Sequence, residues 1–123
     1  MAKSARDYVY DGLELIPTPL AKFVEGRLES CLTGYWQQTV KEKYEKLRVT
    51  NGVVEWDQAS LLTVMDMFWQ EAFKDILGKT ERSNVIELKE IRNKHSHNVR
   101  FTYNDAGRAL DTMSRLMDSI NAL

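Results

Sequence analysis

Apolar residues recur every three or four positions along most of this chain, which is the spacing of an α-helix that buries one face. The first such run follows Ser4, a residue suited to cap a helix. The prolines of "IPTPL" predict that this helix ends there, because proline lacks the backbone donor that a helix interior needs. We expect a second helix with Thr18 as its N-cap and Pro19 at its first position, and Gly34 marks its end.

The middle of the chain departs from the helical period only once. After a short third helix, "RVTNGVVEW" places Asn51 and Gly52 between β-branched residues, a strong signal for a two-residue hairpin turn. A lone hairpin is marginally stable, so we expect a short hairpin or an ordered loop near residues 48–56. Asp57 is predicted to be the next N-cap, and the run behind it is apolar around most of its circumference up to Gly78. This run is predicted to be the central helix of the core.

The last third of the sequence predicts two more helices. One extends from about Glu81 to His97, and Thr102 with Asp105 offers a capping box for the other. Helices joined by short turns predict an all-α antiparallel bundle that forms one domain over residues 1–123. Because the apolar period persists to the end of the chain, we expect this domain to be the N-terminal module of a longer protein.

The composition indicates an ordinary soluble domain. Apolar residues make up 43% of the chain and charged residues 28%, and a net charge of −1 argues against a polyelectrolyte binder of nucleic acid. One cysteine excludes an internal disulfide, and no apolar run is long enough to span a bilayer, so we expect a cytoplasmic protein. The residues predicted to lie in the core rather than at a cofactor are Cys31, Met65, Trp69, Met113 and Met117.

The stretch "ELKEIRNKHSHN" gathers the groups that metal-free cleavage of RNA requires. Histidine titrates in the range needed to move a proton on or off the 2′-hydroxyl, and arginine supplies a permanent cation for the charged phosphorane. Asn93 lies one helical turn from His97 and can hold a phosphate oxygen or fix the histidine tautomer. Arg92 lies about 140° from His97 around the axis, so its long side chain or a second copy of the chain must close the distance.

The same stretch is also compatible with a plain solvated helix end, whose basic residues suit the negative end of the helix dipole. From Lys79 to Arg100 there are six Lys and Arg against three Asp and Glu, a modest local excess. His95 falls on the apolar stripe of its helix, which predicts a structural role. His95 and His97 are two positions apart and point in nearly opposite directions, so a metal site is not expected.

The segment "ERSNVIELKEIRNKHSHNVRFTYNDAGRALDTMSRLMDSI" resembles the HEPN superfamily. The signature of these helical domains is an arginine, usually a polar residue, and a histidine four to six positions after the arginine. Arg92, Asn93 and His97 match it. The resemblance is closest to the branch found on a nuclear RNA endonuclease of transcript quality control and at the N-terminus of bacterial defence-associated helicases and ATPases. In that branch a D-A-x-R-A-L-D-T-M helix follows the motif, and residues 105–113 match it.

The resemblance implies a homodimer in which two Arg/His motifs face one cleft. It also implies a metal-independent, cofactor-free endoribonuclease that leaves a 2′,3′-cyclic phosphate on single-stranded or structured RNA, in anti-phage defence or a stress response. By position in the motif, His97 would be the general acid or base and Arg92 the cation at the phosphate. The expected supporting or RNA-binding residues are Asn93, Lys94, His95 and Ser96.

Two other functions are compatible with the same sequence. The first is a non-catalytic dimerisation or docking module of a larger defence ATPase or helicase, in which the motif makes only polar contacts across a two-fold interface. The second is a toxin that a separate nucleotidyltransferase-like antitoxin neutralises.

Overall fold

Six α-helices account for most of the residues, 2–123, that this computed structural model describes. The predicted all-α bundle with a small hairpin insertion is confirmed. The helices are α1 (Ala5–Glu14), α2 (Pro17–Cys31), α3 (Trp36–Lys43), α4 (Gln58–Met67), α5 (Lys79–Ser96) and α6 (Tyr103–Asn121). The other elements are a hairpin of β1 (Val49–Thr50) and β2 (Val53–Val54), and a π-helical segment (Trp69–Phe73) that follows α4.

Three helices begin with capping boxes, of which the one between Thr102 and Asp105 was predicted from the sequence. In α1, α4 and α6 the N-cap side chain accepts a hydrogen bond from a backbone amide three residues on, and the side chain there accepts one from the N-cap amide. These reciprocal bonds satisfy amides that the first helical turn leaves unpaired. The three N-caps are Ser4, Asp57 and Thr102.

The hairpin was also predicted correctly from local sequence. Asn51 and Gly52 have φ values of 53° and 78°, and the strands pair antiparallel with Thr50 opposite Val53. A two-residue hairpin turn of this hand needs a positive φ at both positions, and Asn-Gly is the pair that adopts it most readily.

The start of α2 differs from the prediction. The helix begins at Pro17, directly after Ile16, and not at Pro19 behind a Thr18 cap. Both prolines fit in the first turn, because the amides they lack would have no partner there. The end of α2 is also earlier than predicted, at Cys31, and Gly34 follows in a turn with φ +75°.

The predicted long central helix is interrupted. Helix α4 ends at Met67, and the next turn is widened so that the amide of Lys74 donates to the carbonyl of Trp69, five residues earlier, at 2.8 Å. A π-turn rotates the following residues relative to a regular helix. The rotation lets Trp69 and Phe73 both lie in the core.

Helix α5, which carries the motif, lies between two neighbours. It packs against α4 on one side and α6 on the other, and its buried positions are Val85 and Leu88. Helix α1 crosses α6 closely at Gly12, where a Cβ would lie 2.6 Å from Leu110 Cδ2. The glycine therefore allows α1 to approach the helix pair that supports the motif.

The residues predicted to be core rather than cofactor ligands lie in the core or beside it. Met65, Trp69 and Met113 are buried, while Met117 and Cys31 are partly buried against the same cluster. None of the helices within residues 2–123 is both long and apolar enough to cross a membrane.

Candidate functional site

The candidate site lies at the C-terminal end of α5, where the chain reverses direction. The helix begins at Lys79, two residues before the predicted Glu81, and ends at Ser96, one residue before the predicted His97. His97 is the C-cap, just outside the helix that was expected to contain it. Asn98 then adopts the left-handed conformation, with φ 57°.

Two backbone hydrogen bonds fix this reversal. The amide of Val99 donates to the carbonyl of Lys94 at 3.0 Å, and the amide of Asn98 donates to the carbonyl of His95 at 3.4 Å. This is the Schellman arrangement, in which asparagine is one of the few side-chain-bearing residues that tolerates the left-handed position. The reversal leaves the side chain of His97 exposed to solvent at the end of the helix.

The side chain of Arg92 folds along the last turn of α5 toward His97. Its Nη1 donates a hydrogen bond to Oγ of Ser96, the residue before His97. Its Nη2 lies 3.7 Å from Oδ2 of Asp57, the N-cap residue of α4. The guanidinium is thus held between the last turn of α5 and the start of α4. We call Arg92, Ser96 and Asp57 the Arg92 end of α5.

A groove between α4 and α5 contains two of the predicted site residues. Its volume is 290 Å³, and Arg92 and Asn93 line it together with Ala59, Thr63, Lys89 and Glu90. His97 is not among the residues that line it. Lys94 is exposed and lines a different groove, of 190 Å³, on the α6 side of α5.

His95 lies on the opposite side of α5 from the open groove. Its ring stacks on Tyr10 of α1 with a centroid distance of 5.7 Å, and Phe101 lies on another side at 6.2 Å. Burial lowers the pKa of His95, and the nearby guanidinium groups of Arg6 and Arg92 lower it further. A half-buried imidazole with this environment suits packing better than contact with RNA.

Arg6 was not identified from the sequence, yet it holds the end of the motif helix. From α1, its guanidinium donates hydrogen bonds to the carbonyl of His95 and, at 3.4 Å, to the carbonyl of Val99. These two carbonyls flank His97 in the chain. No local pattern pointed to this contact, because it joins residues separated by about ninety positions and depends on how α1 packs.

A second polar cluster joins α5 to α6 further from the helix end. The carboxylate of Glu87 accepts hydrogen bonds from Arg108 Nε at 2.8 Å and from the hydroxyl of Thr112, and Arg108 Nη2 lies 2.7 Å away. The Thr112 hydroxyl and then Arg108 lower the pKa of Glu87. We call these three residues the Glu87 cluster. Arg108 and Thr112 belong to the D-A-x-R-A-L-D-T-M stretch, so part of that pattern locks α6 onto α5.

Within residues 2–123 no three His, Cys, Asp or Glu side chains lie close enough together to hold a metal ion. The side chains of the motif at the helix end carry an imidazole, a guanidinium and an amide.

The fold and the motif together are those of a HEPN domain. The sequence model of the Swt1-like HEPN family matches residues 11–121, nearly the whole chain. The protein therefore belongs to the Swt1-like HEPN family. No curated protein and no solved structure shows significant similarity to it.

Proposed function

We propose that this domain is a metal-independent endoribonuclease of the HEPN type, active as a dimer with a composite Arg/His site. HEPN domains are frequently ribonucleases. The observation that carries the proposal is the path of Arg92, whose guanidinium reaches Ser96 beside the exposed His97 and also borders an open groove. Cleavage of a phosphodiester by its own 2′-hydroxyl requires a cation and a group that moves a proton, and Arg92 and His97 are the groups proposed for these two roles.

The reaction assigns a role to each group. The 2′-oxygen attacks the neighbouring phosphorus and loses its proton to a base, while the bond from phosphorus to the 5′-oxygen breaks and that oxygen takes up a proton. The products are a 2′,3′-cyclic phosphate and a 5′-hydroxyl. His97 moves a proton, Arg92 stabilises the charge on the non-bridging oxygens, and Asn93 holds a phosphate oxygen in the groove.

The need for both an acid and a base supports a dimer. Proton removal and proton donation call for two groups in opposite protonation states. Each chain offers one exposed histidine, His97, because His95 is stacked between Tyr10 and Phe101. A second copy with its motif turned to the same cleft supplies the missing imidazole, as symmetric pairing allows.

Cleavage of a labelled single-stranded RNA in the presence of EDTA tests the activity. We expect the wild-type protein to cleave it and His97→Ala to reduce the rate by about 100-fold or more, the usual contribution of a general acid or base. Arg115→Gln serves as the control, because this exposed arginine of α6 pairs only with Asp111, away from the motif. An unchanged rate for His97→Ala, or no cleavage by the full-length protein, would refute the proposal.

The dimer is tested separately by size-exclusion chromatography with light scattering. We expect a mass of two chains at high protein concentration, and a strict monomer would rule out the composite site. The proposed setting is the cytoplasm, in anti-phage defence or a stress response, with the domain forming part of a longer polypeptide. Phage challenge of cells that carry the wild-type or the His97→Ala protein tests that setting.

One observation favours the alternative function of a non-catalytic docking module. Arg92 is engaged within its own chain, by Ser96 and Asp57, which would suffice for a structural arginine. The two functions separate in an Arg92→Gln, His97→Ala double variant. Preserved biological activity with an intact dimer would favour docking, whereas a lost activity with an intact dimer would favour catalysis.

A further inference from the structure

We propose that a cavity beside the His97 reversal is a binding subsite for one nucleotide of the RNA, adjacent to the scissile bond. This inference rests on the proposed ribonuclease function but concerns residues outside the Arg/His motif. The cavity has a volume of 690 Å³ and lies between the start of α1 and the connection from α5 to α6. The residues that line it are Ser4, Ala5, Arg6, Asn98, Val99, Arg100, Phe101, Thr102 and Tyr103.

The position of the cavity relates it directly to the motif. Asn98, which lines it, is the residue after His97 and sets the reversal that exposes the imidazole. A polymer whose phosphate lies at His97 must place a neighbouring nucleotide within a few ångströms of this turn. The volume falls in the range of about 300–1,000 Å³ that is usual for sites of small organic ligands.

The charge of the lining favours a phosphate. Two arginines, Arg6 and Arg100, face the cavity and no carboxylate residue is among those that line it, although the whole chain has a net charge of −1. The nearest capping carboxylates, Asp7 and Asp105, accept hydrogen bonds from the N-cap amides of their own helices. Arg100 is exposed and forms no ion pair within the described residues, so its guanidinium is available to a ligand.

An aromatic ring at the same cavity favours a nucleobase. The side chain of Tyr103 is 63% exposed, and its hydroxyl donates a hydrogen bond to the carbonyl of Lys3 at 2.8 Å. This bond holds the ring in place while a face remains open. Proteins that bind single-stranded nucleic acid combine cations for the backbone with such aromatic platforms for the bases. Arg100 and Tyr103 provide one of each.

One wall of the cavity lies outside the residues that the family model matches. Residues 4–6, which form one wall, precede residue 11, where the family match begins. Arg6 is held there because it donates to the carbonyls of His95 and Val99. The two residues proposed to contact the nucleotide, Arg100 and Tyr103, lie within the matched region.

Fluorescence anisotropy with a labelled 2′-O-methyl RNA of about twelve nucleotides tests the subsite. This probe cannot be cleaved, because its 2′-oxygens carry no proton to lose, so binding is measured apart from catalysis. We expect Arg100→Gln to weaken binding about fivefold and to reduce the slope of log K against log salt by about 0.7, the value for one lost phosphate contact on a single strand. Tyr103→Ala should weaken binding about tenfold, as loss of one stacked base does, whereas Tyr103→Phe should keep wild-type affinity.

Arg115→Gln is the matched control. It removes the same charge from a position that lies about 18 Å along the axis of α6 from Tyr103. Arg6 is left intact, because its loss would also release the end of α5. The proposal is overturned if the wild-type protein does not bind the probe, if Arg100→Gln and Tyr103→Ala bind as the wild type does, or if Arg115→Gln weakens binding equally. Circular dichroism confirms that each variant is folded.

The two proposals fail in different ways. Cleavage of unmodified RNA that Arg100→Gln and Tyr103→Ala leave unchanged would reject the subsite and keep the ribonuclease. Weakened binding in both variants, combined with no cleavage by the wild-type protein, would keep the subsite and reject the ribonuclease.

Discussion

The Glu87 cluster and the Arg92 end of α5 lie about a turn and a half apart on the same helix, yet their arginines are held very differently. At the Glu87 cluster, two nitrogens of Arg108 lie 2.7 and 2.8 Å from one carboxylate oxygen. At the Arg92 end, the guanidinium donates to the Ser96 hydroxyl of its own helix, and its distance to the Asp57 carboxylate is 3.7 Å, longer than a hydrogen bond. The first arrangement fastens two helices together, while the second leaves guanidinium donors that a phosphate can use.

Each cluster should therefore respond to substitution in its own way. Loss of the close contacts should reduce the free energy of unfolding, whereas loss of the loosely held arginine should reduce activity. The largest expected effect is that of Arg92→Gln, which should lower kcat/KM for RNA about 100-fold or more because a cation at the phosphorane is removed. Chemical denaturation should show a change in the free energy of unfolding below about 1 kcal/mol, as for other loosely paired, partly exposed charges.

Arg108→Gln is the matched control for that variant. It removes the same charge from the neighbouring helix, where the side chain is 77% exposed, and should leave kcat/KM within about twofold. Equal losses of activity in the two variants would show that general basicity, and not the position of Arg92, supports the reaction.

Thr112→Val should produce the next largest effect, a loss of about 1.5–3 kcal/mol in the free energy of unfolding. Thr112 is buried, and its hydroxyl is hydrogen-bonded to the charged carboxylate of Glu87. Urea denaturation monitored by circular dichroism measures the loss. The kcat/KM of the folded protein should stay the same, and a large fall in kcat/KM without a loss of stability would contradict the division between the two clusters.

The pH dependence of the Thr112→Val effect gives a second check. The pKa of Glu87 is lowered from 4.5 in the folded protein, first by the Thr112 hydroxyl. A lowered carboxyl pKa adds stability that is fully present above the unfolded-state value and is lost as the pH falls below it. The difference between wild type and Thr112→Val should therefore shrink below about pH 4.5, and a difference that is constant with pH would exclude the carboxylate as the partner.

His95→Phe should produce a smaller effect, confined to mildly acidic solution. Burial and two arginines lower the pKa of His95 from 6.5, so the unfolded chain binds a proton that the folded chain resists. Stability from this residue is present above about pH 6.5 and falls as the pH drops toward the folded-state pKa. Thermal unfolding between about pH 7 and 5 should show a steeper loss of stability for the wild type than for His95→Phe. Parallel curves of stability against pH would contradict the half-buried position of His95.

The smallest effect is expected for Asp57→Asn, a variant that separates a role of Arg92 in RNA binding from a structural role. Asparagine caps a helix as well as aspartate does, so α4 should remain intact. Removal of a carboxylate near Arg92 should raise the affinity for RNA about two- to fivefold, since a loose surface pair is worth up to about 1 kcal/mol. A loss of stability above about 1 kcal/mol, with no gain in affinity, would instead assign Arg92 to the structure.

The sequence predicted the structural features that depend on residues close together in the chain. Ser4, Asp57 and Thr102 were predicted as N-caps because a cap depends on residues within one turn, and Asn51-Gly52 was predicted as a turn for the same reason. The π-turn after α4 could not be predicted, because its buried residues Trp69 and Phe73 pack in a core that includes α2, a helix far away in the sequence.

The candidate site shows the same difference between features set by nearby residues and features set by helix packing. The motif residues Arg92 and His97 were identified from their spacing, and the side chain of Arg92 lies along the helix end as its length allows. Asp57 was predicted only as a cap, and its proximity to Arg92 depends on how α4 packs against α5. Arg6 and Tyr10 gave no signal at all, because their contacts with residues 95–99 follow from the docking of α1.

The left-handed conformation of Asn98 has a consequence for how this domain can change over time. Almost any other residue except glycine would be strained there, so a single codon governs the direction in which the imidazole next to it points. Drift at that codon would redirect the proposed general acid or base while the helices stayed packed as they are. Active and inactive descendants of such a protein would then share the same helical packing and differ in the backbone conformation at this one position.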